Sequence, residues 1–225
     1  MLATITNIDS KRRESSLTLS WAVEQLYKTL DGGPLRKAQV VRLMLAWGNY
    51  GYAAGASYLC QIVQCAQSPE YKRYLECGTG VSTILLGVIA RHCGGHLTSL
   101  EQNQHWAEHM RRVVSNLGLT QWVDVRYCPV VERSGDYDWY CVDVSELSDI
   151  DLVICDGPTS QTRGGRIGCL YELNHTLNAG ATILLDDTHR KDEQAAIAQW
   201  SQTRPISTQT FSGLWSKHSK VTIRS

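Results

Sequence analysis

The spacing of apolar residues predicts three helices in the first third of the chain. Apolar side chains recur every third or fourth residue from Leu17 to Leu30, and Asp31-Gly32-Gly33-Pro34 then ends the pattern. Two further helices are predicted over Leu35–Trp47 and Ala53–Gln67. We therefore expect residues 1–70 to form an N-terminal helical cap.

From residue 71 onward, short apolar runs alternate with helical patterns, which is the order of a parallel sheet covered by helices. The last two runs are joined by Ser212-Gly213, a hairpin signal. These patterns predict one domain over residues 71–225, an α/β fold with a doubly wound, Rossmann-like seven-stranded sheet that ends in a C-terminal antiparallel hairpin. The predicted elements are a strand ending at Glu76, helix Val81–His92, strand Gly95–Glu101, helix Gln104–Leu117, strand Trp122–Tyr127, a loop with a short strand pair over Ser134–Ser148, strand Ile150–Asp156, helix Arg166–Leu177 closed by Asn178-Ala179-Gly180, strand Ala181–Asp187, a helix ending near Trp200, and strands Pro205–Phe211 and Trp215–Ile223.

A glycine-rich turn lies between the first strand and the following helix. Gly78 and Gly80 have no Cβ, so the main chain can adopt positive φ and a ligand can approach it closely. The helix that begins near Val81 directs unpaired N–H groups to the same place. A dinucleotide-binding turn requires a small residue at the sixth position, where this sequence has Thr83. The turn thus predicts a nucleoside-containing ligand, with Thr83 disfavouring a dinucleotide; an ordinary strand-to-helix turn is the alternative.

Acidic residues end four of the predicted strands, at Glu76, Glu101, Asp156 and Asp186-Asp187. In an open α/β sheet, ligands collect at the carboxyl ends of the strands, so these acids are expected to share one edge. Glu101 follows the glycine turn by about 20 residues, where an acid accepts hydrogen bonds from ribose hydroxyls. That spacing suits nicotinamide and S-adenosylmethionine cofactors equally.

Two aromatic features each allow two interpretations. Trp106, at the start of a helix close to Glu101, either stacks on an adenine ring or is a buried residue at a helix start. The segment Trp47–Tyr52 either forms a lid over a substrate or packs in the core.

Composition and charge narrow the range of partners. The chain has 22 Lys and Arg against 22 Asp and Glu, scattered along its length, so it shows no basic footprint for nucleic acid. Its eight cysteines include no Cys-x-x-Cys pair and are expected to be buried free thiols in a reducing compartment. Neither a signal peptide nor a membrane span is apparent. We expect a cytoplasmic protein that binds a small molecule and binds neither nucleic acid nor membranes. A homodimer is possible.

The pattern Glu76-x-Gly78-x-Gly80-x-Ser82 resembles the first motif of class I S-adenosylmethionine-dependent methyltransferases. The later order of Glu101, Asp156-Gly157-Pro158, Asp186-Asp187 and a terminal hairpin is similar to the same family over residues 71–225. The resemblance implies S-adenosylmethionine as the cofactor. It implies these cofactor-binding residues: Glu76, Gly78, Thr79, Gly80, Ser82, Thr83, Glu101, Trp106 and Asp156.

Within that family, the sequence after the fourth and fifth strands looks like small-molecule O-methyltransferases, and more faintly like enzymes that methylate sugar units of polysaccharides. This resemblance implies O-methylation of a small hydroxylated or anionic molecule, such as a sugar or a natural product. Metal-dependent members carry an acid and an Asp-Asn pair. The corresponding positions here are Asp156, Asp187 and Thr188, where Thr replaces the Asn and weakens the third ligand, so Mg²⁺ with Asp156 and Asp187 as ligands is one expectation.

The expected catalytic residues are Asp156, Asp187 and His189. Either a metal lowers the pKa of the acceptor hydroxyl, or His189 takes the proton; alternatively His189 only caps the following helix. Three arginines are expected to bind the substrate, because guanidinium groups bind carboxylate or phosphate; the alternative is that they are loop arginines that face solvent. These are Arg163, Arg166 and Arg190.

Two other function classes stay open at this point. A nicotinamide-dependent oxidoreductase would account for the turn and Glu101 but not for Thr83 or the hairpin. A catalytically silent nucleotide-binding domain would account for the fold but not for the row of carboxylates.

Overall fold

A computed structural model of the chain describes residues 19–48, 54–133, 135–213 and 216–224. Most of the predicted segment Trp47–Tyr52 lies outside the described residues, so neither interpretation of it is tested. The helices are α1 (residues 19–32 of the described chain), α2 (Lys37–Trp47), α3 (Ala56–Ala66), α4 (Val81–Cys93), α5 (Gln104–Asn116), α6 (Gly168–Leu173) and α7 (Lys191–Thr203). The strands are β1 (Arg73–Cys77), β2 (His96–Glu101), β3 (Val123–Tyr127), β4 (Val130–Arg133), β5 (Tyr137–Tyr140), β6 (Ile150–Cys155), β7 (Leu177–Leu185), β8 (Ile206–Ser212) and β9 (Lys217–Ile223).

Seven strands form one mixed sheet in the order β3-β2-β1-β6-β7-β9-β8. The pairings from β3 through β7 are parallel, whereas β9 runs antiparallel to both β7 and β8. The order reverses between β1 and β6, which is where ligands bind in open α/β sheets. The predicted doubly wound sheet with a terminal hairpin is confirmed.

Helices cover both faces of the sheet because its central strands are apolar on both sides. Helices α1 to α3 pack in one hydrophobic cluster with α4, represented by Leu26, Leu43, Ile62 and Ile84. Tyr58 of α3 also donates a hydrogen bond of 2.7 Å to the carbonyl of Leu184 in β7. The segment expected to form a cap therefore lies directly against the sheet.

The other face carries a second cluster, represented by Trp139, Leu170 and Trp200. Trp200 Nε1 donates to the carbonyl of Ile167 at 2.9 Å, which ties α7 to the start of α6. The small β4–β5 ribbon packs on this face and forms a separate two-stranded sheet.

Two predicted boundaries are wrong. The helix expected over Arg166–Leu177 covers only Gly168–Leu173, and the segment expected to close it, Asn178-Ala179-Gly180, lies inside β7. Sheet pairing overrides the local signal here, because Leu177 pairs with Ile150 and the Asn178 amide donates to Asp151 at 2.7 Å. The short strand pair also begins earlier than expected, at Val130.

All eight cysteines, each within the described part of the chain, are free thiols. Five are buried, but Cys141 is exposed and Cys60 and Cys93 are partly exposed, so the expectation of burial holds only in part. Within the described residues, no helix combines the length and apolarity needed to cross a membrane.

Candidate functional site

The glycine turn between β1 and α4 brings two backbones into contact. Gly78 has φ of 92°, and a Cβ on it would lie 3.0 Å from the backbone nitrogen of Gly157. Gly80 is extended, and a Cβ built there would meet nothing within 4 Å. Gly78 thus allows the ends of β1 and β6 to touch, whereas Gly80 leaves open space beside the turn.

Glu76 holds this turn from beneath. Its carboxylate accepts hydrogen bonds from Thr83 Oγ1 at 2.6 Å and from Ser99 Oγ, and Thr83 Oγ1 in turn accepts from the Gly80 N–H at 2.9 Å. Burial raises the pKa of Glu76 to about 7, although hydrogen bonds from Ser82, Ser99 and Thr83 oppose the shift. Glu76, Ser82 and Thr83, predicted to bind the cofactor, are buried and support the main chain that would bind it.

Glu101 faces the same turn from the end of β2. Its Oε2 accepts from the Thr79 N–H at 3.1 Å and from the Thr79 hydroxyl at 2.7 Å, while Oε1 accepts from the Asn103 N–H at 2.8 Å. A carboxylate offers about four acceptor positions, so Glu101 retains capacity for a further donor such as a ribose hydroxyl.

Trp106 supports the turn from α5. Its indole Nε1 donates to the Thr79 carbonyl at 3.1 Å, its ring stacks on His109 at 4.9 Å between centroids, and it meets Trp47 edge-on at 6.2 Å. These contacts favour the interpretation of Trp106 as a packed residue at a helix start, although its ring is partly exposed beside Glu101.

Three carboxylates meet where β6 and β7 end. Oxygen atoms of Asp156, Asp186 and Asp187 all lie within 4.8 Å of one another. Asp187 adopts a left-handed conformation (φ 58°), and its N–H donates to Asp186 Oδ1 at 2.8 Å. Burial and the charge of Asp187 raise the pKa of Asp186 to about 6. Burial also raises the pKa of Asp156, against the opposing effect of Arg166.

Arg166 lies beneath these carboxylates and not in an accessible loop. Its side chain is 3% exposed, and its guanidinium nitrogens lie 3.2 Å from Asp156 Oδ1 and 3.1 Å from Asp187 Oδ2. It also donates to the Asp186 carbonyl at 2.9 Å. Both terminal nitrogens of Arg166 thus bond to the chain's own carboxylates and carbonyls, which favours a supporting role for Arg166; its assignment to the substrate stays a prediction.

The other two arginines predicted to bind substrate are also paired. Arg163 contacts Asp138 at 2.8 Å and Glu132 at 3.1 Å, and it donates to the Gly135 carbonyl, so it is tied to the β4–β5 ribbon. Arg190 contacts Asp187 Oδ2 at 2.9 Å and remains partly exposed. Of the three, only Arg190 keeps exposed surface next to the carboxylate cluster.

His189 and Thr188 do not join that cluster. His189 is exposed, and Arg190 takes the N-cap position of α7, so His189 does not cap the helix. Thr188 is buried, and its hydroxyl accepts from Ser219 Oγ at 3.1 Å. Thr188 thus binds β9 and does not face Asp156.

A cavity of about 1000 Å³ opens beside Asp186 and Asp187. Helices α2 and α3 form one wall and the β8–β9 hairpin the other. Its lining combines apolar surface, including Met44 and the ring of Phe211, with these polar residues: Lys37, Ser57, Cys60, Gln61, Gln64, Asp186, Asp187, Ser212, Ser216 and His218.

His218 in β9 was missed by sequence reasoning. It is 1% exposed, both ring nitrogens lack a hydrogen-bond partner among the described residues, and burial lowers its pKa. Its ring stacks on Phe211 at 5.3 Å and meets Tyr58 edge-on at 5.4 Å. The one available signal was a histidine in an inward-facing position of the last strand.

Comparison with known proteins identifies the family. A family model described as a methyltransferase domain matches residues 75–188, just over half of the chain. No curated protein matches the sequence at a significant level. The fold is similar to that of an O-methyltransferase from Bacillus cereus in complex with SAH, with TM-score 0.60, 14% identity, and coverage of 93% of this chain and 100% of that chain.

Two other solved structures share the fold. An S-adenosylmethionine-dependent O-methyltransferase from Thermotoga maritima has TM-score 0.58 and 14% identity, with 83% of this chain and 71% of that chain covered. The O-methyltransferase TomG from Streptomyces achromogenes, involved in tomaymycin synthesis and solved in complex with SAM, has TM-score 0.54 and 13% identity, with 84% and 89% covered. The family match, on a sheet that carries its glycine turn and acids at one edge, leads to one conclusion: the chain belongs to the class I S-adenosylmethionine-dependent methyltransferases.

Proposed function

We propose that this methyltransferase O-methylates a small, neutral, hydroxyl-rich molecule that enters the cavity between α2, α3 and the β8–β9 hairpin. The observation that carries the proposal is that the place where the cofactor would bind, at the glycine turn, lies next to this cavity. The glycine turn touches the backbone after β6, and the Asp156, Asp186 and Asp187 cluster that follows β6 and β7 borders the cavity.

The turn fits S-adenosylmethionine on two grounds. Open space beside Gly80 would admit the cofactor to the main chain, and the spare acceptor capacity of Glu101 suits the ribose. We call the surface formed by Gly78, Thr79, Gly80 and Glu101 the cofactor cradle. When bound, the cofactor supplies a methyl group on a sulfonium, which an acceptor oxygen can attack directly.

The chain's own residues then act chiefly by positioning. Alignment of two reactants alone is worth effective molarities of about 10⁵ M or more. Asp156 and Asp187 remain proposed catalytic groups because they lie between the cradle and the cavity. His189 is a weaker candidate, since it is exposed and does not line the cavity.

The charge of the cavity favours a neutral acceptor over an anionic one. Arg163, Arg166 and Arg190 are each paired with carboxylates of the chain. Asp186 and Asp187 add negative charge to the cavity wall, on which Lys37 is the one Lys or Arg among the described lining residues. Amide and hydroxyl side chains on that wall suit a sugar or a natural product with several hydroxyls.

Cofactor binding is tested by calorimetry with S-adenosylmethionine on Gly80→Val and on a matched control, Gly32→Val. Both glycines have open space at the Cβ position and neither has positive φ, but Gly32 lies at the end of α1. We expect Gly80→Val to lose affinity at least about tenfold, equivalent to about 1.4 kcal/mol, and the control to bind like wild type. Unchanged affinity of Gly80→Val would overturn the assignment of the cradle.

The acceptor class is tested with methyl-labelled cofactor and pairs of acceptors that differ only in charge. Each pair consists of a neutral polyol or phenol and its phosphorylated or carboxylated analogue. We expect label transfer to the neutral member and alkali-stable O-methyl product. Preference for the anionic member would contradict the proposed acceptor class.

A further inference from the structure

The carboxylate cluster after β6 and β7 resembles a cation site in its composition. Asp156, Asp186 and Asp187 offer oxygen atoms within 4.8 Å of one another, and carboxylate oxygens are the ligands that Mg²⁺ prefers. The resemblance to metal-dependent family members had also implied Asp156 and Asp187 as ligands. Whether a divalent ion can bind here depends on the residues that surround these oxygens.

A guanidinium group already lies among these oxygens. One nitrogen of Arg166 is 3.2 Å from Asp156 Oδ1 and 3.1 Å from Asp187 Oδ2, so a single NH₂ group bridges two of the three carboxylates. Carbonyls of Cys155 and Asp186 accept from the other terminal nitrogen. With 3% of its side chain exposed, Arg166 cannot move aside into solvent without opening the core.

The remaining contacts also argue against a metal. Arg190 contacts the same Asp187 oxygen at 2.9 Å, so two positive groups share it. The position of the expected third ligand is Thr188, whose buried hydroxyl is bonded to Ser219. A dication on these carboxylates would lie within a few ångströms of a buried like charge.

We propose that the Arg166 guanidinium is the resident cation of this cluster and that the protein works without a divalent metal. Arg166 is then a positioning residue: its guanidinium group orients Asp156 and Asp187 between the cofactor cradle and the cavity. The metal-binding part of this inference depends only on the cluster, whereas the catalytic part rests on the proposed function.

The test measures metal binding directly, with Mn²⁺ as the probe and its paramagnetic resonance signal as the readout. Wild type, Arg166→Met and Arg163→Met are titrated; Arg163→Met is the matched control, because that arginine pairs with carboxylates of the β4–β5 ribbon. We expect no stoichiometric site in wild type or in the control. Removal of the charge in Arg166→Met should tighten Mn²⁺ binding about tenfold or more, since a dication on these carboxylates is then no longer repelled by a guanidinium group a few ångströms away.

The added substitution Asp187→Asn in Arg166→Met should abolish that gain. If wild type binds one tight Mn²⁺ per chain and the single variant Asp187→Asn loses it, the proposal is overturned. This comparison does not require Arg166→Met to fold. A folded Arg166→Met that binds Mn²⁺ no better than wild type would overturn it too. Label transfer by wild type should survive chelation with EDTA, while cofactor binding, measured separately, reports on the proposed function.

Discussion

The contact between the glycine turn and the end of β6 makes Gly78→Ala the most informative single substitution. An alanine at φ of 92° is strained by about 1–2 kcal/mol relative to glycine. Its Cβ would also lie 3.0 Å from the Gly157 nitrogen and 3.2 Å from the Gly157 Cα, which are backbone atoms that cannot rotate away. Overpacking of this kind adds about 1–3 kcal/mol, so we expect a total loss of about 2–5 kcal/mol in the free energy of unfolding.

Gly118→Ala is the matched control for that substitution. Gly118 also has positive φ, 66°, but a Cβ there meets nothing within 4 Å. It should therefore lose only the strain, about 1–2 kcal/mol. Urea unfolding followed by circular dichroism measures both variants, and calorimetry with S-adenosylmethionine should show weaker binding for Gly78→Ala alone. Equal destabilisation of the two variants would refute the argument that close approach of the two backbones requires Gly78.

Three other predictions concern single carboxylates and the buried histidine. Glu101→Gln should weaken S-adenosylmethionine binding by about 1.5–3 kcal/mol in calorimetry through loss of a charge-assisted acceptor, whereas Glu108→Gln at a partly exposed position of α5 should not. The folded protein raises the pKa of Glu76 from 4.5 to about 7, so the folded state holds an extra proton between these values and the free energy of unfolding should fall as pH rises through them. Glu76→Gln should remove that component, at most about 3 kcal/mol, in urea titrations at pH 5 and 8, and a pH dependence equal to that of wild type would contradict it. His218→Phe removes two buried nitrogens that have no partner among the described residues, so it should leave the free energy of unfolding unchanged or raise it by about 1 kcal/mol. If His218 contacts the acceptor, the same variant should transfer less label while it binds the cofactor with unchanged affinity.

Local patterns in the sequence were sufficient for the sheet because its strands are buried on both faces. A continuous apolar run such as that of β6 is stable only between two layers, and the alternation with helices then implies parallel crossovers. The boundary of α6 was not predictable in the same way. Whether residues 174–180 continue a helix or extend β7 depends on pairing with β6 and on the Asn178 contact with Asp151, which are separated by many residues along the chain.

The sequence alone determined which edge of the sheet carries the site, because glycines at a strand-to-helix turn and acids at strand ends are local features that the topology brings together. The tertiary structure alone decided what each polar side chain contacts. Arg166 and Arg190 were expected to face an acceptor, yet both lie against Asp187. For Arg166 the reason is that a buried charge is costly without a partner, and the partly exposed Arg190 pairs with the same carboxylate oxygen. His218 is a candidate site residue only because the β8–β9 hairpin folds beside α3. That packing buries its ring nitrogens without a partner among the described residues and places it in the cavity wall, and neither property can be seen in the sequence.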